Sequence, residues 1–106
     1  MRRVEFRRLL DEENALRVSF DLERGKVIAF VVQLECRFAD DKWTPVIRYD
    51  TAHGFTHCDR MHPYKDAEKV EMPIRDFTEG LTAAMFDLAN NWSDYRRRYE
   101  EWLGQK

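Results

Sequence analysis

Between residues 15 and 22, Leu16, Val18, Phe20 and Leu22 alternate with Arg17, Ser19 and Asp21, the period-two pattern of a strand with one face buried. The following Glu23-Arg24-Gly25-Lys26 predicts a turn, with Gly25 free to take a positive φ. Alternation then resumes: Ile28, Phe30, Val32, Leu34, Cys36 and Phe38 fall on one side, and Val27, Ala29, Val31, Gln33, Glu35 and Arg37 on the other. Because its first half is apolar on both sides, this segment predicts a central strand covered twice. Past the loop at residues 39–42, the stretches WTPVIRYDT (43–51), FTHCDRMH (55–62) and EKVEMPI (68–74) predict three more strands. Pro73 cannot donate to a ladder, so it sets the end of the last one at an edge or outside the ladder. Residues 3–10 offer an extra strand, since Val4 and Phe6 alternate with Arg3, Glu5 and Arg7.

From Asp76 the period lengthens. Phe77, Leu81, Met85, Leu88, Trp92, Tyr95, Tyr99 and Trp102 recur at spacings of three and four, one apolar helical stripe. Asp76 followed by Glu79 has the form of an N-terminal capping arrangement, and Gly104 stands where the helix closes. The prediction is a helix over about residues 76–103, roughly 40 Å long, whose face through Leu81, Leu88, Trp92 and Tyr99 makes the main core contact. Strands first and one long helix last imply an α+β fold: an antiparallel meander of four to five strands with the C-terminal helix laid on one face.

Composition adds bounds rather than detail. A chain of 106 residues, 36% charged and 43% hydrophobic, reads as one ordered domain spanning residues 1–106. The formal net charge of −2 offers no overall field to gather nucleic acid or an anionic membrane. No apolar run approaches the ~20 residues of a membrane span, and the opening MRRVEFRRLL lacks the apolar segment of a signal peptide, so a cytoplasmic protein is expected. The two cysteines, Cys36 and Cys58, are too few for a disulfide framework and form no CxxC pair. Val27, Ala29 and Val31 on the face away from the helix need a cover, and a homodimer is the expected one.

Candidate chemistry gathers in RYDTAHGFTHCDRMHP, residues 48–63, which holds all three histidines. A two-residue turn at His53-Gly54 sets Asp50 opposite His57 and Arg48 opposite Asp59, with all four on one side of the sheet. These four are the candidate catalytic residues: histidine near neutral pH both accepts and donates a proton, and a carboxylate beside it orients the ring. Collecting His53, His57, Asp59 and His62 on a metal conflicts with strand geometry. His57 and His62 are an odd number of residues apart and point to opposite faces, and no standard zinc spacing is present, so neither metal nor cofactor is expected. Ser19, Ser93 and Cys58 lack the setting of a nucleophile. The arginines near the start and Arg96, Arg97 and Arg98 on the helix make nucleic acid a possible partner, though not the favoured one, because Arg96 and Arg97 stand three or four residues from Glu100 and Glu101. A protein partner remains open, and no membrane is expected.

On Arg48, Tyr49, Asp50, His53, Gly54, His57, Asp59, His62 and Pro63, with Trp92, Tyr95, Tyr99 and Trp102, the chain resembles a family of small uncharacterised bacterial and archaeal proteins, a domain of unknown function. The likeness runs from about residue 14 onward and implies no activity. A looser resemblance is to TumE-type toxins, which look like small antiparallel sheets with an RYD strand before a histidine-rich turn. In this chain the histidines after RYD are spread out. The expected function is a non-catalytic binding or regulatory module. The alternative is a small toxin-like hydrolase or ribonuclease using the hairpin at residues 48–63.

Overall fold

In the computed structural model, which describes residues 1–105, six strands form one antiparallel sheet in chain order. They are β1 (Arg2–Asp11), β2 (Asn14–Glu23), β3 (Lys26–Arg37), β4 (Trp43–Asp50), β5 (His57–Arg60) and β6 (Glu68–Glu71), followed by the helix α1 (Phe77–Leu103). The sheet thus has one strand more than the four to five expected, because the arginine-rich opening pairs with β2 along its whole length. A side-chain turn closes that hairpin: Asp11 Oδ1 accepts from the Glu13 N–H and from Asn14 Nδ2, both at 2.8 Å. The next hairpin turns through Arg24 (φ 51°) and Gly25 (φ 78°), both left-handed as a two-residue turn between right-twisted strands requires.

The helix begins where expected. Asp76 caps it, its carboxylate accepting from the N–H groups of Thr78 (2.8 Å) and Glu79 (3.2 Å). Its apolar stripe lies chiefly over β3, with a smaller contact on β4. Leu81, Ala84, Leu88 and Tyr99 are buried there against Phe30, Val32, Leu34 and Ile47, and Trp92 is half-buried beside them. Gly80 allows the close approach, since a Cβ at that position would stand 3.0 Å from Thr56 Oγ1 and 3.2 Å from the Phe30 ring.

Three bulges change which side chains face the helix. Ile28 is unpaired between Val27 and Ala29, Val46 between Pro45 and Ile47, and Leu10 between Leu9 and Asp11. The first inverts the expected alternation at the start of β3, so Val27 enters the core while Ile28 is 39% exposed. The argument that Val27, Ala29 and Val31 form an uncovered apolar face therefore fails at Val27. Nor is β3 covered by a second layer. Its other face is screened by side chains of the neighbouring strands, with Arg7 Nε 3.8 Å and Arg17 Nε 3.6 Å from the buried Glu35 carboxylate.

Two outcomes test this packing. Leu88→Asp places an unpaired charge at a site with no exposure, and circular dichroism should show loss of the cooperative thermal transition. Gly80→Ala would raise helix stability by ~1 kcal/mol on propensity alone. Against the buried Phe30 and Thr56 it should instead lower stability by about 1 kcal/mol, measured as a reduced urea midpoint.

Candidate functional site

Antiparallel register carries side chains of like parity across the sheet in rows. On the face away from the helix, one row runs Arg7, Arg17, Gln33, Arg48, Asp59, Lys69 and the next runs Glu5, Ser19, Val31, Asp50, His57, Glu71. Between them on the helix side lies the row Phe6, Val18, Val32, Tyr49, Cys58, Val70. Arg48, Asp50, His57 and Asp59 therefore share the open face, with Asp50 opposite His57 and Arg48 opposite Asp59 as expected.

The turn between them differs from the expected two residues. Pairing stops at Asp50 and His57, and residues 51–56 form a loop with a 3-10 turn at Ala52–Gly54. The two ends diverge because they bond to different parts of the chain, one to β3 and the other just past the end of β6. Thr51 Oγ1 accepts from the Phe30 N–H at 3.0 Å, whereas the Thr56 carbonyl accepts from the Met72 N–H at 3.1 Å. His53 (φ 70°) and Gly54 (φ 85°) are both left-handed within this loop.

Asp50 is the hub. Its Oδ1 accepts from the Ala52 N–H at 2.9 Å and lies 3.1 Å from His57 Nδ1, and its Oδ2 is 3.2 Å from Arg48 Nε. His57 Nδ1 is also 3.3 Å from the Asp50 carbonyl, and the ring is flanked by Phe55 (centroids 5.5 Å apart) and His53 (6.3 Å). Asp50 and His57 are both buried. The ion pair of Arg48 is thus made along its own strand, to Asp50. Asp59 pairs instead with Lys69 (3.6 Å), which corrects the expected Arg48–Asp59 pairing. His62 lies on the helix side, stacked on Trp102 with centroids 4.6 Å apart, so the three histidines do not converge.

Asp50, His57 and Asp59 offer ligand atoms all within 4.8 Å of one another, a set that could hold a divalent cation. Arg48 and Lys69 already stand on the two carboxylates and oppose one electrostatically. Arg48 Nε and Asp59 Oδ1 are buried without a hydrogen-bond partner among the described residues. A cleft of about 600 Å³ opens beside the cluster, lined by Glu5, Arg7, Arg17, Ser19, Gln33 and Arg48 among others. A smaller one of about 240 Å³ includes Arg3, Ser19, Val31, Arg48 and Asp50 in its lining. His57 lines neither.

Two polar clusters on the helix side join the helix to the strands through partners far apart in the chain, contacts that leave no signal in the sequence. Asp87 Oδ2 accepts from the hydroxyls of both Tyr49 (2.6 Å) and Tyr95 (2.7 Å), tying α1 to β4. Arg96 donates to Asn14 Oδ1 (2.8 Å) and to the Arg37 carbonyl (3.1 Å) and pairs with Glu100 (3.0 Å). It clamps the helix to the ends of β2 and β3, and so does not belong to a free basic patch. Burial pushes the thiol of Cys58 up to about 11 and that of Cys36 up to about 12, which leaves both poor nucleophiles at neutral pH.

Sheet, single helix and one polar face define a small α+β protein with an open sheet surface, and among the described residues no helix is long and apolar enough to cross a membrane. The chain belongs to the family described as Domain of unknown function (DUF7718), which it matches over residues 1–105. No curated protein and no solved structure matches it.

The tyrosine–aspartate cluster yields a pH dependence. Burial, and then the bond to Asp87, raise Tyr95 to about 12 and raise Tyr49 as well. An unfolded tyrosine ionises near 10. The stabilisation is therefore full below pH ~10 and is lost as pH climbs toward the folded value. The urea midpoint should fall between pH 10 and 12, and Asp87→Asn should shrink that fall without abolishing it, since burial remains.

Proposed function

We infer that the protein is a non-catalytic binding module of the cytoplasm whose working surface is the open face of the sheet. The observation that carries this reading is the convergence of Arg7, Arg17 and Arg48, from three strands, on a cleft that His57 does not line. The groups around it are mostly donors: three guanidinium groups, the Gln33 amide and the Ser19 hydroxyl. Such a lining suits a ligand rich in acceptors, a phosphate or carboxylate group. Arg7 is held for this by Trp43, its guanidinium 4.2 Å from the ring centroid. The two buried cysteines, free rather than paired in a disulfide, fit a reducing compartment.

A hydrolase or ribonuclease is the second reading, favoured by the Asp50–His57 contact of 3.1 Å with His53 close by. In this setting Asp50 also accepts from Ala52 and faces Arg48, so the pair closes the loop at residues 51–56. Two measurements separate the two readings. NMR titration with inorganic triphosphate should move amide signals around Arg17, Gln33 and Arg48, and the response should be lost in Arg17→Glu. A labelled RNA should stay intact with wild type and His57→Ala alike. Cleavage that falls a hundredfold in His57→Ala would overturn the non-catalytic reading, and a flat titration would overturn the acidic ligand.

A further inference from the structure

The two edges of the sheet are unlike. At one end β6 is four residues long and carries Glu68, Lys69 and Glu71, a short charged strand that discourages pairing. At the other, β1 offers ten residues of strand whose outer backbone edge is unpaired among the described residues. Its Phe6, on the helix side, also stands past the cover of the helix, which lies over β3 and β4, and is 40% exposed, while Leu9 on the open face is 63% exposed.

We propose that β1 is the self-association edge of the protein, joining two copies through an antiparallel β1–β1 ladder centred on Phe6. Charge selects this register. For two copies related by a twofold axis through the sheet, residues on the same face must pair, which leaves few alignments. Centring on Glu5 sets Glu5 against Glu5, Arg3 against Arg7 and Arg2 against Arg8. Centring on Arg7 sets Arg7 against itself. Centring on Val4 avoids like charges but pairs only residues 2–6. With Phe6 at the axis, Glu5 of each copy faces Arg7 of the other, Val4 faces Arg8, Arg3 faces Leu9, and no arginine faces an arginine. The two Phe6 rings meet on the helix side, covering apolar surface that α1 leaves open.

The two six-stranded sheets then run on as one. The open-face row of Arg7, Arg17, Gln33 and Arg48 in one copy continues into the row of Glu5, Ser19, Val31 and Asp50 in the other. Because Glu5 and Arg7 border the 600 Å³ cleft, each cleft gains a second wall from the other copy.

Sedimentation equilibrium on the full chain tests the register. Wild type should form a dimer. Glu5→Arg alone and Arg7→Glu alone should each weaken it by roughly tenfold, since two symmetric cross-strand attractions become repulsions. The double variant Glu5→Arg/Arg7→Glu should restore it. Phe6→Cys gives an independent readout because the native Cys36 and Cys58 are buried: mild oxidation should link two copies through residue 6, and should not do so through Leu9→Cys. A wild type that stays monomeric at every concentration overturns the proposal, and so does a strand partner other than a second copy on this edge. A dimer indifferent to the single charge reversals, or equal linking at residues 6 and 9, overturns the register.

Discussion

Burial of one helical stripe against one face of the sheet is the constraint on which the rest of the molecule depends. Leu88 is wholly buried and Leu81, Ala84 and Tyr99 nearly so, with Gly80 bringing the helix backbone close to Phe30 and Thr56. Each fully buried large apolar side chain stabilises by about 1.5–3 kcal/mol, a large share of the roughly 5–15 kcal/mol net stability of a domain. A single helix can cover only one face. Strand residues of the other parity must then manage in water, and that requirement, more than any local motif, gathers Arg48, Asp50, His57 and Asp59 on one surface.

The α+β architecture, the helix limits to within a residue and the chain-order meander were legible because each rests on a period that persists over many positions. What escaped were the bulges. Period-two reading assumes an unbroken ladder, and one inserted residue reverses which face every position beyond it takes. The inserted residues, Leu10, Ile28 and Val46, are apolar like the residues before them and give no local sign of their role. The opening strand was ambiguous for a different reason. Arg2, Arg3, Arg7 and Arg8 leave only Val4 and Phe6 to mark the alternation, and the partner that settles it, β2, needs the Asp11 turn to bring it back.

At the candidate site, the glycine after His53 was enough to set the pairing of Asp50 with His57, because register follows from where a chain reverses. The partner of Arg48 was not recoverable from pairing alone. Residues two apart on a strand share a face just as cross-strand neighbours do, and a flexible guanidinium reaches either; here it turns along β4 to Asp50. The Asp87 cluster and the Arg96 clamp lie further out of reach of sequence reading. Each joins groups more than thirty residues apart, and an arginine in an RRR run looks solvated until the helix is placed over Asn14 and Arg37.

The open face is therefore a layer of ion pairs rather than bare sheet. Glu35 and Asp50 are both buried on a surface with no second layer of structure above it, screened by the stems and heads of Arg7, Arg17 and Arg48. Taking carboxylates out of water is unfavourable, and their attraction to arginine returns little net stability compared with apolar packing. Stability alone would be served as well by aliphatic residues at Glu35 and Asp50. What the carboxylates supply is position: Glu35 holds Arg7 and Arg17, Asp50 holds Arg48, and Trp43 stacks under Arg7. Guanidinium groups held near one place by a carboxylate or a ring have less side-chain entropy left to lose than free ones, so the buried carboxylates act on the arrangement of the open face more than on its stability.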